Sequence, residues 1–244
     1  MSQNVYDQQE FFESYIKLDR QVRGLAGAPE WPQLKAMLPN LDALNVLDLG
    51  CGFGWFARFA RENGAASVRA IDLSERMLNK ARSLTNDEKI EYERADLEEL
   101  RLAENYYDVV FSSLTFHYIA NLPTLIKEIG KSLRPSGHLV CSIEHPIYTA
   151  PSRPSFVVDE KTGRQFWPLD GYQDEGLRST NWFVERVKKQ HRTVGTYIKM
   201  FLNNNLQLAD FTEWYPDEKE LELHPSWESE LERPTFLLIG AIKR

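Results

Sequence analysis

Three glycines at alternate positions, Gly50, Gly52 and Gly54, stand between two carboxylates: Asp48 just before them, and Asp72 22 residues beyond Gly50. Glycine lets a chain turn sharply and lets its backbone approach a ligand closely. In Val46-Leu47-Asp48-Leu49-Gly50-Cys51-Gly52-Phe53-Gly54 the glycines follow a short apolar run and precede a helix-like run from Trp55. A helix start there aims free N–H groups at polar or anionic atoms. Asp72, closing the next strand-like run, can accept from both hydroxyls of a ribose. Each such charge-assisted bond is worth about 1.5–3 kcal/mol in a partly dry site. A dinucleotide site would want G-x-G-x-x-G, but Trp55 stands where its last glycine belongs. The pattern is D-x-G-x-G-x-G instead, and an acid at Asp48 can face an ammonium group. That suits an amino-acid-bearing nucleoside, not a pyrophosphate. The plain alternatives are that Asp72 only caps the following helix and that Cys51 is a small spacer in the turn, not a nucleophile.

Candidate bases come from the rule that ligands of open parallel sheets bind beyond the carboxyl ends of the strands. His117, in Thr115-Phe116-His117-Tyr118, follows the fourth strand, and Glu144 and His145 follow the fifth. His191 lies among Lys188, Lys189 and Arg192. Each has a structural reading as well: a helical-turn hydrogen bond for His117, an anchor for the following segment at Glu144-His145-Pro146, and a solvated basic face around His191. His138 and His224 read as structural or exposed.

The elements that must position these groups alternate. Phe11, Phe12, Tyr15, Ile16 and Val22 recur at helical spacing, so one amphipathic helix is expected to open the chain, followed by a short helix carrying Trp31, Leu34 and Leu38. Strands are expected at Leu44–Leu49, Val68–Ile71, Ile90–Tyr92, Val109–Phe111 and Leu139–Ile143. Helices fall between them: one from Trp55 to Asn63 capped by Gly64, one capped by Ser74, and one starting near Asn121 and Pro123. A turn is expected at Pro135-Ser136-Gly137. Strands alternating with helices imply an open parallel sheet covered on both faces. Residues 146–190 are rich in proline and aromatics, with one hairpin expected around Phe156–Val158 and Arg164–Trp167. A helix over Thr193–Asn203 and strands over Leu206–Trp214 and Thr235–Ile242 complete the chain. The stretch 217–232 carries seven acids against Lys219, which reads as a solvated surface.

In order and spacing these segments resemble the class I S-adenosylmethionine-dependent methyltransferases. The match rests on Val46 to Gly54, Ile71-Asp72-Leu73-Ser74 with Met77-Leu78, Arg94-Ala95-Asp96-Leu97, Tyr107 to Ser113, and Leu133 to His138. It is most similar to the small-molecule branch that includes the ubiquinone and menaquinone biosynthesis enzymes. The resemblance implies an α/β, Rossmann-like, doubly wound sheet of seven strands, the last antiparallel and inserted beside the sixth. It also implies S-adenosyl-L-methionine as cofactor. Gly50, Cys51, Gly52 and Gly54 would lie along its methionine part with Asp48 orienting it, and Asp72 would hold the ribose. Leu73 and Met77 would flank the adenine, and Asp96, between Ala95 and Leu97, would accept from its amine unless it is an ordinary turn residue. Ser112, or the backbone near it, would touch the methionine end. Parts are expected as an N-terminal helical cap (1–40), a cofactor core (41–145), a lid insertion (146–192) and a C-terminal helix with a strand pair (193–244).

Composition narrows the rest. The chain has 244 residues, a net charge of −7 and 12% aromatic residues, so disorder and a general nucleic-acid binder are disfavoured. No apolar run is long enough to span a membrane, and Met1-Ser2-Gln3-Asn4 lacks the basic start and apolar run of a secretory signal. Two cysteines, Cys51 and Cys141, make neither a disulfide framework nor a zinc site, as expected of a cytoplasmic protein without a metal. The expected activity is methylation of a small molecule by a monomer or homodimer. The expected alternatives are a nucleic-acid or protein methyltransferase, a nicotinamide-dependent oxidoreductase and a non-catalytic cofactor binder. Ser112-Ser113-Leu114-Thr115 stands where base-methylating members of the family carry an Asn/Asp-Pro-Pro-aromatic motif. The aromatics of 146–190, with Tyr15, suggest a lid over the acceptor or else a small satellite core.

Overall fold

Side chains along the central strands alternate between two faces, and each face is sealed by its own helices. The computed structural model describes residues 3–244, so Met1 and Ser2, the start of the expected cap, lie outside the described residues. The strands are β1 (Asn45–Leu49), β2 (Ser67–Asp72), β3 (Ile90–Arg94), β4 (Tyr107–Ser113), β5 (Leu133–Glu144), β6 (Val157–Val158), β7 (Gln165–Phe166), β8 (Gly176–Trp182), β9 (Val184–His191), β10 (Leu206–Glu213) and β11 (Phe236–Lys243). Seven of them form one sheet in the order β10-β11-β5-β4-β1-β2-β3. β1 to β5 are parallel to one another, and β11 enters between β5 and β10 antiparallel to both, which is the reversed final pair expected.

The helices are α1 (Gln9–Tyr15), α2 (Asp19–Val22), α3 (Trp31–Ala36), α4 (Trp55–Glu62), α5 (Glu75–Ser83), α6 (Leu122–Ser132), α7 (Pro146–Thr149), α8 (Val194–Leu202) and α9 (Glu218–Leu223). Val46, Val68, Ala70, Val109 and Phe111 pack with Leu34, Phe56, Ala57 and Ala60 from α3 and α4. Leu47, Ile71, Val110 and Leu139 pack on the other face with Leu122, Ile126 and Phe201 from α6 and α8. Full burial of each large apolar side chain contributes about 1.5–3 kcal/mol, so the two layers hold the strand ends rigidly.

Three details depart from the sequence reading. The opening helix is two helices, because the chain bends at Leu18 so that Arg20 reaches the fully buried Glu30 at 3.0 Å. The turn at Pro135-Ser136-Gly137 lies inside the long β5 as an irregularity: Tyr107 pairs with Leu133, yet Val109 pairs with His138. The insertion holds two hairpins, β6–β7 as expected and β8–β9 in addition. The acidic stretch 217–232 includes α9, with Asp217 and Glu220 forming a reciprocal cap.

Candidate active site

Gly50, Gly52 and Gly54 take φ values of 76°, 52° and 67°, so the chain leaving β1 winds through the left-handed region at every second residue. A side chain on Gly50 would run into Thr115, and one on Gly54 into Tyr92. A side chain on Gly52 would meet nothing within 4 Å, because it would stand in open cavity. The loop is fixed to the neighbouring strand: Gly50 and Cys51 both donate their N–H groups to the Ile71 carbonyl, at 2.8 and 3.0 Å.

Asp72 completes the loop. Its Oδ2 accepts from the Gly52 N–H at 2.9 Å and its Oδ1 from the Ser74 N–H at 2.9 Å. One carboxylate therefore joins the glycine turn to the start of α5, and it still has lone pairs for a ligand. Burial holds Asp72 above the usual carboxylate range, with the two N–H groups pulling the other way. Ser74 caps α5 by accepting from the Met77 N–H at 3.2 Å. Its hydroxyl donates to Asp7 at 2.6 Å, so the N-terminal segment is tied to this loop.

Asp48 has a different environment. It is 2% exposed, and its Oδ2 has no partner among the described residues. Burial, and then the charge of Asp72, pushes its carboxyl up to about 8. A buried acid without a cation is costly, and a ligand ammonium would resolve it. Cys51 sits beside it, and burial raises that thiol well above its ordinary value, which suits a spacer and not a nucleophile.

A cavity of about 820 Å³ opens over this loop. Asp48, Gly50, Cys51, Gly52, Asp72, Leu73, Met77, Asp96 and Leu97 line it. Gly54, Ala95 and Ser112 stand outside the lining. Gly54 is the left-handed residue that starts α4. Ala95 donates its N–H to the Asp72 carbonyl. Ser112 is fully buried and donates to the Leu49 carbonyl at 2.8 Å, and Ser113 faces the cavity in its place.

At the far end of the cavity the four candidate bases separate. His145 and His191 are outside the lining because each is consumed as an anchor. His145 Nδ1 accepts from the Ile147 N–H at 3.0 Å while its Nε2 meets Glu213 at 2.9 Å. His191 Nδ1 meets the Thr149 hydroxyl at 2.9 Å and its Nε2 the Tyr172 carbonyl at 2.9 Å. His117 and Glu144 do line the cavity and are neighbours: His117 Nδ1 accepts from the Glu144 N–H at 3.2 Å. Burial drives His117 down to about 4, with the charges of Lys189 and Arg192 adding to it against the pull of Glu144. The ring is therefore neutral at pH 7 and, with Nδ1 accepting, carries its proton on Nε2. It is a hydrogen-bond donor there and not a base.

Glu144 Oε1 pairs with Lys189 Nζ at 2.5 Å, and Oε2 is buried with no partner among the described residues. The Lys189 ammonium lies 5.3 Å from the Trp182 ring centre and 5.9 Å from that of Tyr148. Tyr6, Tyr15, Tyr118, Tyr148 and Trp182 surround this end. Tyr6 packs edge-on against Phe11, Tyr15 and Tyr118. Tyr6 and Tyr118 carry no motif, and Lys189 stood out only as part of the basic run around His191.

The neutral state of His117 has a stability consequence. Its folded value lies below the unfolded value of 6.5, so the contribution is complete above pH 6.5 and is lost as pH falls from there through about 4. A His117→Gln variant keeps an acceptor and a donor but does not titrate. The stability advantage of the native chain over this variant is expected to shrink by about 2–3 kcal/mol between pH 7 and pH 4.5. Urea unfolding of both proteins at the two pH values measures it; equal changes would contradict the buried neutral ring.

A family model described as a methyltransferase domain matches residues 47–141. A crystal structure of an S-adenosylmethionine dependent methyltransferase from Mesorhizobium loti is 45% identical, covers 90% of this chain and 100% of that one, and superposes with a TM-score of 0.86. An uncharacterized protein of Haemophilus influenzae is 36% identical over 98% of this chain and 97% of its own. The malonyl-[acyl-carrier protein] O-methyltransferase of Pectobacterium atrosepticum is 37% identical, but over only 43% of this chain and 40% of that protein.

Proposed function

Because this chain belongs to the S-adenosylmethionine-dependent methyltransferases, we propose that it methylates a small-molecule acceptor enclosed between the N-terminal segment and the 146–192 insertion. The cofactor is S-adenosyl-L-methionine, and the residues present fit it. The Asp48 carboxyl, whose Oδ2 has no partner among the described residues, would meet the ammonium group and Asp72 the sugar, and the bare backbone at Gly52 leaves room for the chain between them. Leu73 and Met77 offer apolar surface for the adenine, and Asp96 lies on the same wall. When bound, the cofactor supplies an electrophilic methyl group on a sulfonium centre.

The protein's own part is alignment, exclusion of water and removal of a proton. Glu144 Oε2 takes the proton from an acceptor O–H or N–H. His117 Nε2–H holds an acceptor oxygen beside it. Tyr6, Tyr118, Tyr148 and Trp182 keep water out. The observation that carries this reading is the buried, unpartnered oxygen of Glu144, a residue that lines the same cavity as the glycine loop. The enclosing aromatics and the net charge of −7 favour a small acceptor over a nucleic acid. Two buried, unpaired thiols support a reducing compartment such as the cytoplasm. Among the described residues no helix is long and apolar enough to cross a membrane. Incubation with S-adenosylmethionine and a pooled metabolite extract should yield a compound heavier by one methyl group in the mass spectrum. Methyl gain only on RNA or protein fractions would overturn the small-molecule reading.

Cofactor binding should be coupled to a proton. With its carboxyl near 8, Asp48 is mostly protonated in the free protein at pH 7. An arriving ammonium ionises it, so close to one proton leaves on binding, and affinity rises with pH up to about 8. Calorimetric titration of S-adenosylhomocysteine in buffers of different ionisation enthalpy counts that proton. The native protein should release it and Asp48→Asn should not; equal release from both would place the proton elsewhere.

A further inference from the structure

A second cavity of about 380 Å³ is lined by both members of the Glu144–Lys189 pair. It shares three lining residues with the main cavity: Glu144, Tyr148 and Trp182. These three border both spaces, so whatever occupies the second adjoins the proposed acceptor chamber.

Its charge is opposite to that of the chain. The overall net charge is −7, yet the ionisable groups lining this cavity are Arg153, Arg178, Lys189 and a single acid, Glu144. Glu144 and Lys189 neutralise each other at 2.5 Å, which leaves two guanidinium groups. Arg178 is held in place by the Ala150, Gly171 and Asp174 carbonyls, at 3.1, 3.2 and 2.6 Å, so its hydrogen bonds go to neutral partners and to no carboxylate. Asp170, which feels the charge of Arg178, is engaged by the N–H and hydroxyl of Ser152. Arg153 has no side-chain partner among the described residues, and the lining Thr180 hydroxyl is buried without one. A fixed cation, a free cation and an unused hydroxyl around one concavity are the donor set that recognises a planar carboxylate or a phosphate.

We propose that the second cavity is a subsite for an anionic group, a phosphate or a carboxylate, at the end of the acceptor remote from the methylated atom. This rests on the main cavity being the acceptor chamber. The acceptor is then a molecule with two ends: a nucleophilic end beside Glu144 and His117, and an anionic end beside Arg153 and Arg178, with Tyr148 and Trp182 flanking its middle.

The test uses the full chain saturated with S-adenosylhomocysteine, titrated by calorimetry with phenol, benzoate and phenyl phosphate. At least one of the two anions should bind ten-fold or more tighter than phenol, and whichever gains more tells carboxylate from phosphate. Arg153→Ala, a change at an exposed side chain, should remove most of that gain, and Arg153→Glu should reverse it. Both variants should keep native affinity for S-adenosylhomocysteine. Anions binding no better than phenol, or a gain that survives Arg153→Glu, would overturn the subsite alone. Failure to bind S-adenosylhomocysteine at all would instead overturn the reading of the main cavity.

Discussion

An Asp72→Ala variant is expected to lose affinity for S-adenosylhomocysteine by about a hundredfold, equivalent to about 2.7 kcal/mol. The size follows from two separate losses. The ribose loses a charge-assisted acceptor, worth about 1.5–3 kcal/mol in a partly dry site. The glycine turn also loses its tie to α5, because Gly52 and Ser74 both donate to this one carboxylate. Asp72→Asn separates the two effects. Its remaining oxygen can still accept from Ser74, but its amide nitrogen would face the Gly52 N–H, donor against donor. Asn should therefore fall between the native residue and Ala in affinity, with a smaller loss of thermal stability than Ala. Calorimetry and thermal melts of the three proteins measure this. Native affinity in Asp72→Ala would mean that the carboxylate is only a cap for α5.

The cofactor half of the site was legible because its information is local. The glycines, Asp48 and Asp72 lie within 25 consecutive residues, and the alternating strand pattern around them sets which side chains share a face. The same pattern held a signal about Ser112 that its resemblance-based role passed over. Asp48 pairs with Phe111, so Phe111 and Ser113 share the cavity's side of β4, and Ser112 turns with Val110 into the other layer. The acceptor half was far less legible. His117 and His145 look alike in the sequence, each just after an expected strand, and His191 stands only in a basic run. What separates them are partners 27, 68 and 42 residues away, which local spacing does not encode. Hairpin β8–β9 was missed for a related reason: β8 alternates between half-buried and exposed residues without an apolar face, so it lacks the signature of a core strand. The cation beside Glu144 arrives on that hairpin, and so the basic run Lys188-Lys189 read as a solvated face when Lys189 is 5% exposed.

Lys189→Met should therefore be among the most damaging single changes outside the cofactor loop, lowering stability by about 3–5 kcal/mol. Methionine fills a similar volume and can still pack against Trp182 and Tyr148, so the loss is chiefly electrostatic. It leaves the Glu144 carboxylate in a site that is 13% exposed, with neither oxygen paired to a cation. Glu144→Gln is milder, since its amide oxygen can still accept from Lys189. The double variant Glu144→Gln/Lys189→Met should regain much of the stability lost in Lys189→Met, because removing both charges is less costly than stranding one. Turnover should behave differently. Glu144→Gln should lower kcat by about 10²–10⁴, the usual worth of a positioned base, with S-adenosylhomocysteine affinity unchanged. Adding Lys189→Met should restore none of that activity. Stability and activity thus part company in the double variant: a Glu144 that merely supports the lid would recover both together, whereas a Glu144 that takes the acceptor's proton recovers only the first.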